Sequence, residues 1–91
     1  MPLTRIEFTK IRSLDDIYRQ LAEQTDLPEH FGRNLDALYD VLTGDLEGPL
    51  MIVWRRHTAS EPLLGSEKYR ALLALLHGAA AERADLELIL D

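Results

Sequence analysis

Two aspartates, Asp36 and Asp40, stand four positions apart in a stretch that reads as a helix. At about 100° of rotation per residue both carboxylates fall on one side. Tyr39 and Thr43 complete that face at i+3 and i+7. Such a face can do two kinds of chemistry. With His30 it can supply an acid, a base or a metal ligand; by itself it can accept charge-assisted hydrogen bonds from arginine, as a phosphate does. It can also be no more than a solvated helix surface. Asp36 lies in the first turn, where the helix dipole favours an anion. Asp40 has no such help, and like charges at i, i+4 cost a helix about 0.2–0.5 kcal/mol. Aspartate is also a poor helix former. A pair that opposes folding marks a candidate functional site.

The charge map points to the same segment. Residues 26–47 hold Asp26, Glu29, Asp36, Asp40, Asp45 and Glu47 against Arg33 alone, which is −5 of a net charge of −6. Elsewhere acids and bases nearly cancel. An acidic surface repels phosphate backbones and anionic lipid, so neither nucleic acid nor membrane is an expected partner, and a basic protein is.

The elements that must position this face follow from periodicity. Leu3 to Phe8 read as a strand. Ser13, with Asp16 three residues on, reads as a helix N-cap in the manner of a capping box, followed by the stripe Leu14, Ile17, Tyr18 and Leu21, with Pro28 closing the segment. Asn34 is predicted to cap the acidic helix, whose buried stripe is Leu35, Leu38, Val41 and Leu42. Thr43 and Gly44 are expected to end it in a left-handed turn, and Gly32 to answer a need for positive φ. The unbroken apolar run Leu50 to Trp54 suits a central strand covered on both faces, with Trp54 in the core. A polar connection runs from Arg55 to Gly65, a long helix from Ser66 to near Arg83, and a last strand over Leu86, Leu88 and Leu90. The expected fold is a small α/β domain spanning 1–91, a three-stranded parallel sheet with three to four helices and right-handed crossovers.

Ninety-one residues with 46% hydrophobic and 29% charged content suit one globular domain and leave little room for a cleft enzyme. The absence of cysteine excludes disulfides, thiolate zinc sites and cysteine nucleophiles. Together with the lack of a signal-peptide pattern or a membrane-length run, it favours a cytoplasmic location. His57 and His77 belong to no motif, and Ser60-Glu61 beside His57 makes no credible triad. No cofactor and no metal are expected.

The run Gly32-x-Asn34-Leu35-Asp36-Ala37-Leu38-x-Asp40, continued by Leu42-Thr43-Gly44, resembles the signature of the barstar family. Pro49-Leu50, Trp54, the final strand and the element order extend the likeness over essentially the whole chain. Barstar-like proteins are intracellular, non-catalytic inhibitors of secreted, basic ribonucleases of the barnase type. The resemblance implies that Asp36 and Asp40 enter the ribonuclease site. Tyr39, His30, Thr43, Gly44 and Asp45 would surround them in a 1:1 complex of an otherwise monomeric protein. The family's best-known member carries tryptophan where Tyr39 stands, aromatic residues at positions 30 and 45, and an acid near Gly78. The alternatives are an acidic interaction module for another basic partner, and a small hydrolase or metal protein using His30, Asp36 and Asp40.

Overall fold

The computed structural model describes residues 2–91. Three five-residue strands, β1 (Thr4–Phe8), β2 (Leu50–Trp54) and β3 (Leu86–Leu90), form a parallel sheet in the order β1-β2-β3. They run without stagger, Thr4 beside Leu50 beside Leu86, and Phe8 beside Trp54 beside Leu90. Between them lie α1 (Leu14–Gln24), α2 (Leu35–Asp40), α3 (Glu61–Leu64) and α4 (Ser66–Glu82). A π turn, Val41–Asp45, continues α2, and a 3₁₀ turn, His57–Ser60, leads into α3. The expected fold class is the observed one. No helix among the described residues is long and apolar enough to cross a membrane.

One face of the sheet makes the core. Ile6, Phe8, Leu50, Ile52, Trp54 and Leu86 pack against Ile17, Tyr18 and Leu21 of α1, Leu38 of α2, and Leu72, Leu76 and Ala79 of α4. Each such buried aliphatic side chain contributes on the order of 1.5–3 kcal/mol. The expectation that strand 50–54 is covered on both faces needs correcting. Met51 is half-buried, and Val53 is buried yet stands outside the cluster that joins sheet and helices. Its neighbours across the sheet are Glu7 and Ile89. Strand side chains, not a second helical layer, shield it.

The edge of β1 is closed in an unusual way. Gln24 gives its side-chain amide to the carbonyl of Glu7 and takes the Glu7 N–H in return (2.9 and 2.8 Å). Gln20, one turn earlier, does the same with Thr9 (2.8 and 3.0 Å). Two glutamines at i, i+4 on α1 therefore stand in for an adjacent strand and remove the edge as a template for pairing.

Helix α1 starts as its sequence suggests, with one change. The Ser13 hydroxyl accepts the Asp16 N–H. Asp16 reaches back not to the cap residue but to the N–H of Arg12 before it (2.9 Å), and also takes a guanidinium hydrogen bond from Arg19 (3.1 Å). These contacts, the Arg12 amide first, hold the Asp16 carboxyl below its ordinary range. A carboxylate with a lowered folded-state pKa contributes stability above its unfolded value, and that contribution disappears as pH falls through the folded value. Asp16→Ala should thus cost about 1 kcal/mol at neutral pH, as lost caps do. The gap from wild type should close in acid. Urea melts at neutral and acid pH test this; a gap that persists in acid would mean packing, not the charge, was lost.

Trp54 is fully buried, as expected of a core residue. Its Nε1 has no hydrogen-bond partner. His57, which belongs to no motif, is half-buried at the border of the core, stacked on Tyr69 with ring centroids 6.4 Å apart and 5.9 Å from Trp54.

Candidate functional site

The acidic helix is held at both ends and left bare on one side. At its start the Asn34 side chain accepts the Ala37 N–H at 2.8 Å, the capping role expected of it. Leu38, Val41 and Leu42 are buried, while Asp36 and Asp40 are exposed on the opposite face. Neither aspartate has a hydrogen-bond or ion-pair partner among the described residues. The same holds for ion pairs at Asp26, Glu29, Asp45 and Glu47. Arg33, the one base of this segment, pairs with Asp15 of α1 at 2.5 Å and leaves the six acids uncompensated. The field of this quarter of the chain therefore faces solvent unopposed.

The far end of the helix departs from expectation. Gly44 does not close it in a left-handed turn; Gly65 is the glycine with positive φ, at the end of α3. The chain instead widens into the π turn, closed by the Leu46 N–H on the Val41 carbonyl (3.0 Å). Alpha geometry would set position 45 roughly 140° round from position 40. In a π turn residues five apart come closer to alignment than in an α-helix, and Asp45 at its end is exposed. Such turns recur at functional sites.

Arg83, just past α4, holds this turn. Its guanidinium donates to the carbonyls of Leu42 (2.9 Å) and Leu46 (2.6 Å). It also pairs with both carboxylate oxygens of Asp85 (2.7 and 3.2 Å). This contact pulls the Asp85 carboxyl below its usual range. A β-carbon on Gly48 would collide with the Asp85 carboxylate and press on the Arg83 guanidinium, so glycine there makes room for the clamp. Nothing in the local sequence signalled Arg83.

The side chains expected around the aspartates divide into two groups. Tyr39 is half-buried, and its hydroxyl donates to Glu82 of α4 at 2.8 Å. That carboxylate, with a smaller push from Asp40, holds the phenol above its ordinary range. Gly78 lies beneath the Tyr39 ring, where a β-carbon would make an ordinary contact at 3.7 Å. The acid that α4 turns towards this face is thus Glu82, one turn beyond position 78. Thr43 gives its hydroxyl hydrogen to the Tyr39 carbonyl (2.7 Å) and keeps its lone pairs. His30 is exposed beside Phe31, which packs edge-on against Tyr18 at 6.0 Å. Asp45 borders a shallow cavity shared with Asp26 and Glu47. Gly32 is not left-handed; a β-carbon there would press on the Asn34 amide at 3.0 Å, so it protects the helix cap.

Among the described residues no three His, Asp or Glu side chains converge as metal ligands do. Gly44 is exposed, its φ is ordinary, and a β-carbon on it would meet nothing within 4 Å. Gly44→Ala is therefore expected to stabilise the free protein by about 0.4–1 kcal/mol through the unfolded chain's entropy. A lower melting temperature would reveal a backbone demand that the geometry does not show.

Over residues 1–90 the chain matches the family model described as Barstar (barnase inhibitor). Among curated proteins it is similar to "Putative ribonuclease inhibitor YrdF" of Bacillus subtilis (strain 168). The identity is 36% over 61 residues, covering 67% of this chain and 67% of that protein. A parallel sheet, a capped acidic helix and a match from end to end together place this chain in the Barstar family.

Proposed function

We propose that the protein is a non-catalytic inhibitor of a basic, secreted ribonuclease of the barnase class, and that it blocks the nuclease active site with the exposed face of α2. The observation that carries this reading is the pair Asp36 and Asp40, one turn apart on a helix fixed at both ends, each without a partner of its own. A ribonuclease site is lined with cations that hold phosphate. A rigid pair of carboxylates fills the same positions and accepts paired hydrogen bonds from arginine. Asp40 would sit at the centre and Asp36 beside it. Tyr39, steadied by Glu82, would lie along one flank, with His30, Thr43, Gly44 and Asp45 at the rim. Residues 1–91 act on this reading as one domain, monomeric when free, bound 1:1 to its partner and resident in the cytoplasm. No RNA contact, cofactor or metal enters the mechanism.

The experiment is a mixing assay with RNA and a barnase-type ribonuclease. The protein by itself should leave RNA intact, and cleavage should stop at one equivalent of protein. The association rate should fall steeply with salt, because the uncompensated charge of residues 26–47 steers encounter over a screening length of about 8 Å at physiological ionic strength. Cleavage of RNA by the protein itself, or an active nuclease in the presence of excess protein, would overturn the proposal. An association rate indifferent to salt would remove the steering role of the acidic face.

A further inference from the structure

A second site of opposite character opens at the carboxyl ends of the three strands, where Thr9, Arg55 and Asp91 follow β1, β2 and β3. It is a cavity of about 780 Å³, within the roughly 300–1,000 Å³ of small-molecule pockets. None of the acids of residues 26–47 lines it. Lys10, Arg12, Arg55 and Arg56 do, against the single acid Asp91, in a chain whose net charge is −6. Arg55 is taken by Glu7 and Asp91 (3.4 and 3.0 Å). Lys10, Arg12 and Arg56 have no ion-pair partner among the described residues.

Three further features converge there. Lys10 and Arg56 have φ of 53° and 50°, the left-handed region that L side chains enter at a cost. Strain of this kind gathers at ligand sites. Ser60, 3% exposed and the buried polar residue among those described, lines the cavity, and its side chain makes no capping hydrogen bond although it stands at the start of α3. Leu63 is 59% exposed, the most exposed large hydrophobic side chain described, and forms an aliphatic wall with Ala59, behind which Ile11 is buried in the core.

We propose that this cavity binds a small organic phosphate with an aliphatic body. The phosphate lies among Lys10, Arg12 and Arg56, near the Ser60 hydroxyl, and the body lies along Ala59 and Leu63. Three unpaired cations around one mouth suit a dianion better than a carboxylate. RNA is the poorer fit: no aromatic side chain lines the cavity to stack a base, and the net charge of the chain opposes a polyanion.

The test is a titration of the full chain followed by backbone amide chemical shifts, with octyl phosphate, octanoate, inorganic phosphate, octylamine and a short single-stranded RNA as probes. Octyl phosphate should shift Lys10, Arg12, Arg56 and Ser60 and saturate. Inorganic phosphate should bind at least about tenfold more weakly for want of a body. Octanoate should be weaker than octyl phosphate, and octylamine and RNA inert at these residues. Lys10→Gly and Arg56→Gly each remove a charge and relieve a left-handed residue. They should melt no lower than wild type, weaken octyl phosphate about tenfold, and inhibit ribonuclease unchanged. Arg12→Gln, whose backbone is unstrained, supplies a third reading should either glycine variant fold poorly. Octyl phosphate binding unaltered in these variants, shifts confined to the α2 face, or RNA binding as tightly as octyl phosphate would each overturn the proposal.

Discussion

Asp40→Ala is expected to weaken the complex with a barnase-class ribonuclease by about 2–5 kcal/mol or more, mainly through faster dissociation. The scale comes from the barnase–barstar pair itself, the reference complex of the family, and not from this chain. What this chain contributes is the reason for expecting the upper part of the effect at position 40. The carboxylate is exposed, has no partner to surrender on binding, and is carried by a helix whose ends are fixed by Asn34 and Arg83. Removing it would leave a desolvated cation of the nuclease unpaired, and the penalty of that orphan charge forms much of the loss. Asp40→Asn separates binding from folding. It keeps the shape, relieves repulsion from Asp36, and should leave the free protein as stable as wild type or more so by a few tenths of a kcal/mol. That gain should shrink as salt rises. A binding loss under about 1 kcal/mol for Asp40→Ala would place the residue at a screened rim. Destabilisation of Asp40→Asn at every salt concentration would mean that the carboxylate supports the fold.

Features made by neighbours in sequence were legible, and those made across the fold were not. The Ser13 and Asn34 caps depend on bonds three residues long. Five apolar residues in a row mark β2 as the middle strand, although only one of its faces joins the helical core. The acidic face needed only helical spacing and a count of charges. The π turn has no local signature, because the guanidinium that holds its carbonyls lies 37 and 41 residues away. Gln20 and Gln24 read as ordinary surface residues of α1 until β1 is laid beside them. In the sequence Gly32 and Gly44 both read as left-handed positions, the commonest reason for a turn glycine. One guards a cap against a β-carbon and the other has open space. Tyr39 and Glu82 lie 43 residues apart, so their hydrogen bond could not be read from spacing.

Arg83→Met should be the most damaging exposed-to-half-buried substitution for the free protein, costing about 2–4 kcal/mol. Methionine keeps the aliphatic stem and removes the guanidinium, so packing is nearly preserved and the loss reports hydrogen bonds. Arg83 is only 14% exposed at its side chain and donates to Leu42 and Leu46, both buried residues whose carbonyls end the acidic helix. Each carbonyl left without a donor costs about 1–3 kcal/mol where water cannot reach it, and the cation also loses a favourable place at a helix C-terminus. Asp85 behaves differently. Its lowered pKa means that its pairing with Arg83 contributes above the ordinary carboxylate range and is lost as pH falls through the folded value. Most of the penalty should accordingly survive in acid, because the carbonyl bonds need only the arginine charge. Arg83→Lys should fall between, since a single ammonium lacks the planar fork that meets two carbonyls and a carboxylate together. Urea unfolding of the three proteins at neutral and acid pH measures these differences. On the proposed binding mode inhibition should weaken in step with the π turn, because the turn fixes the end of the α2 helix. An Arg83→Met protein within about 1 kcal/mol of wild type would show that water replaces the clamp. Full stability loss with unchanged inhibition would show instead that the nuclease itself restores the turn on binding.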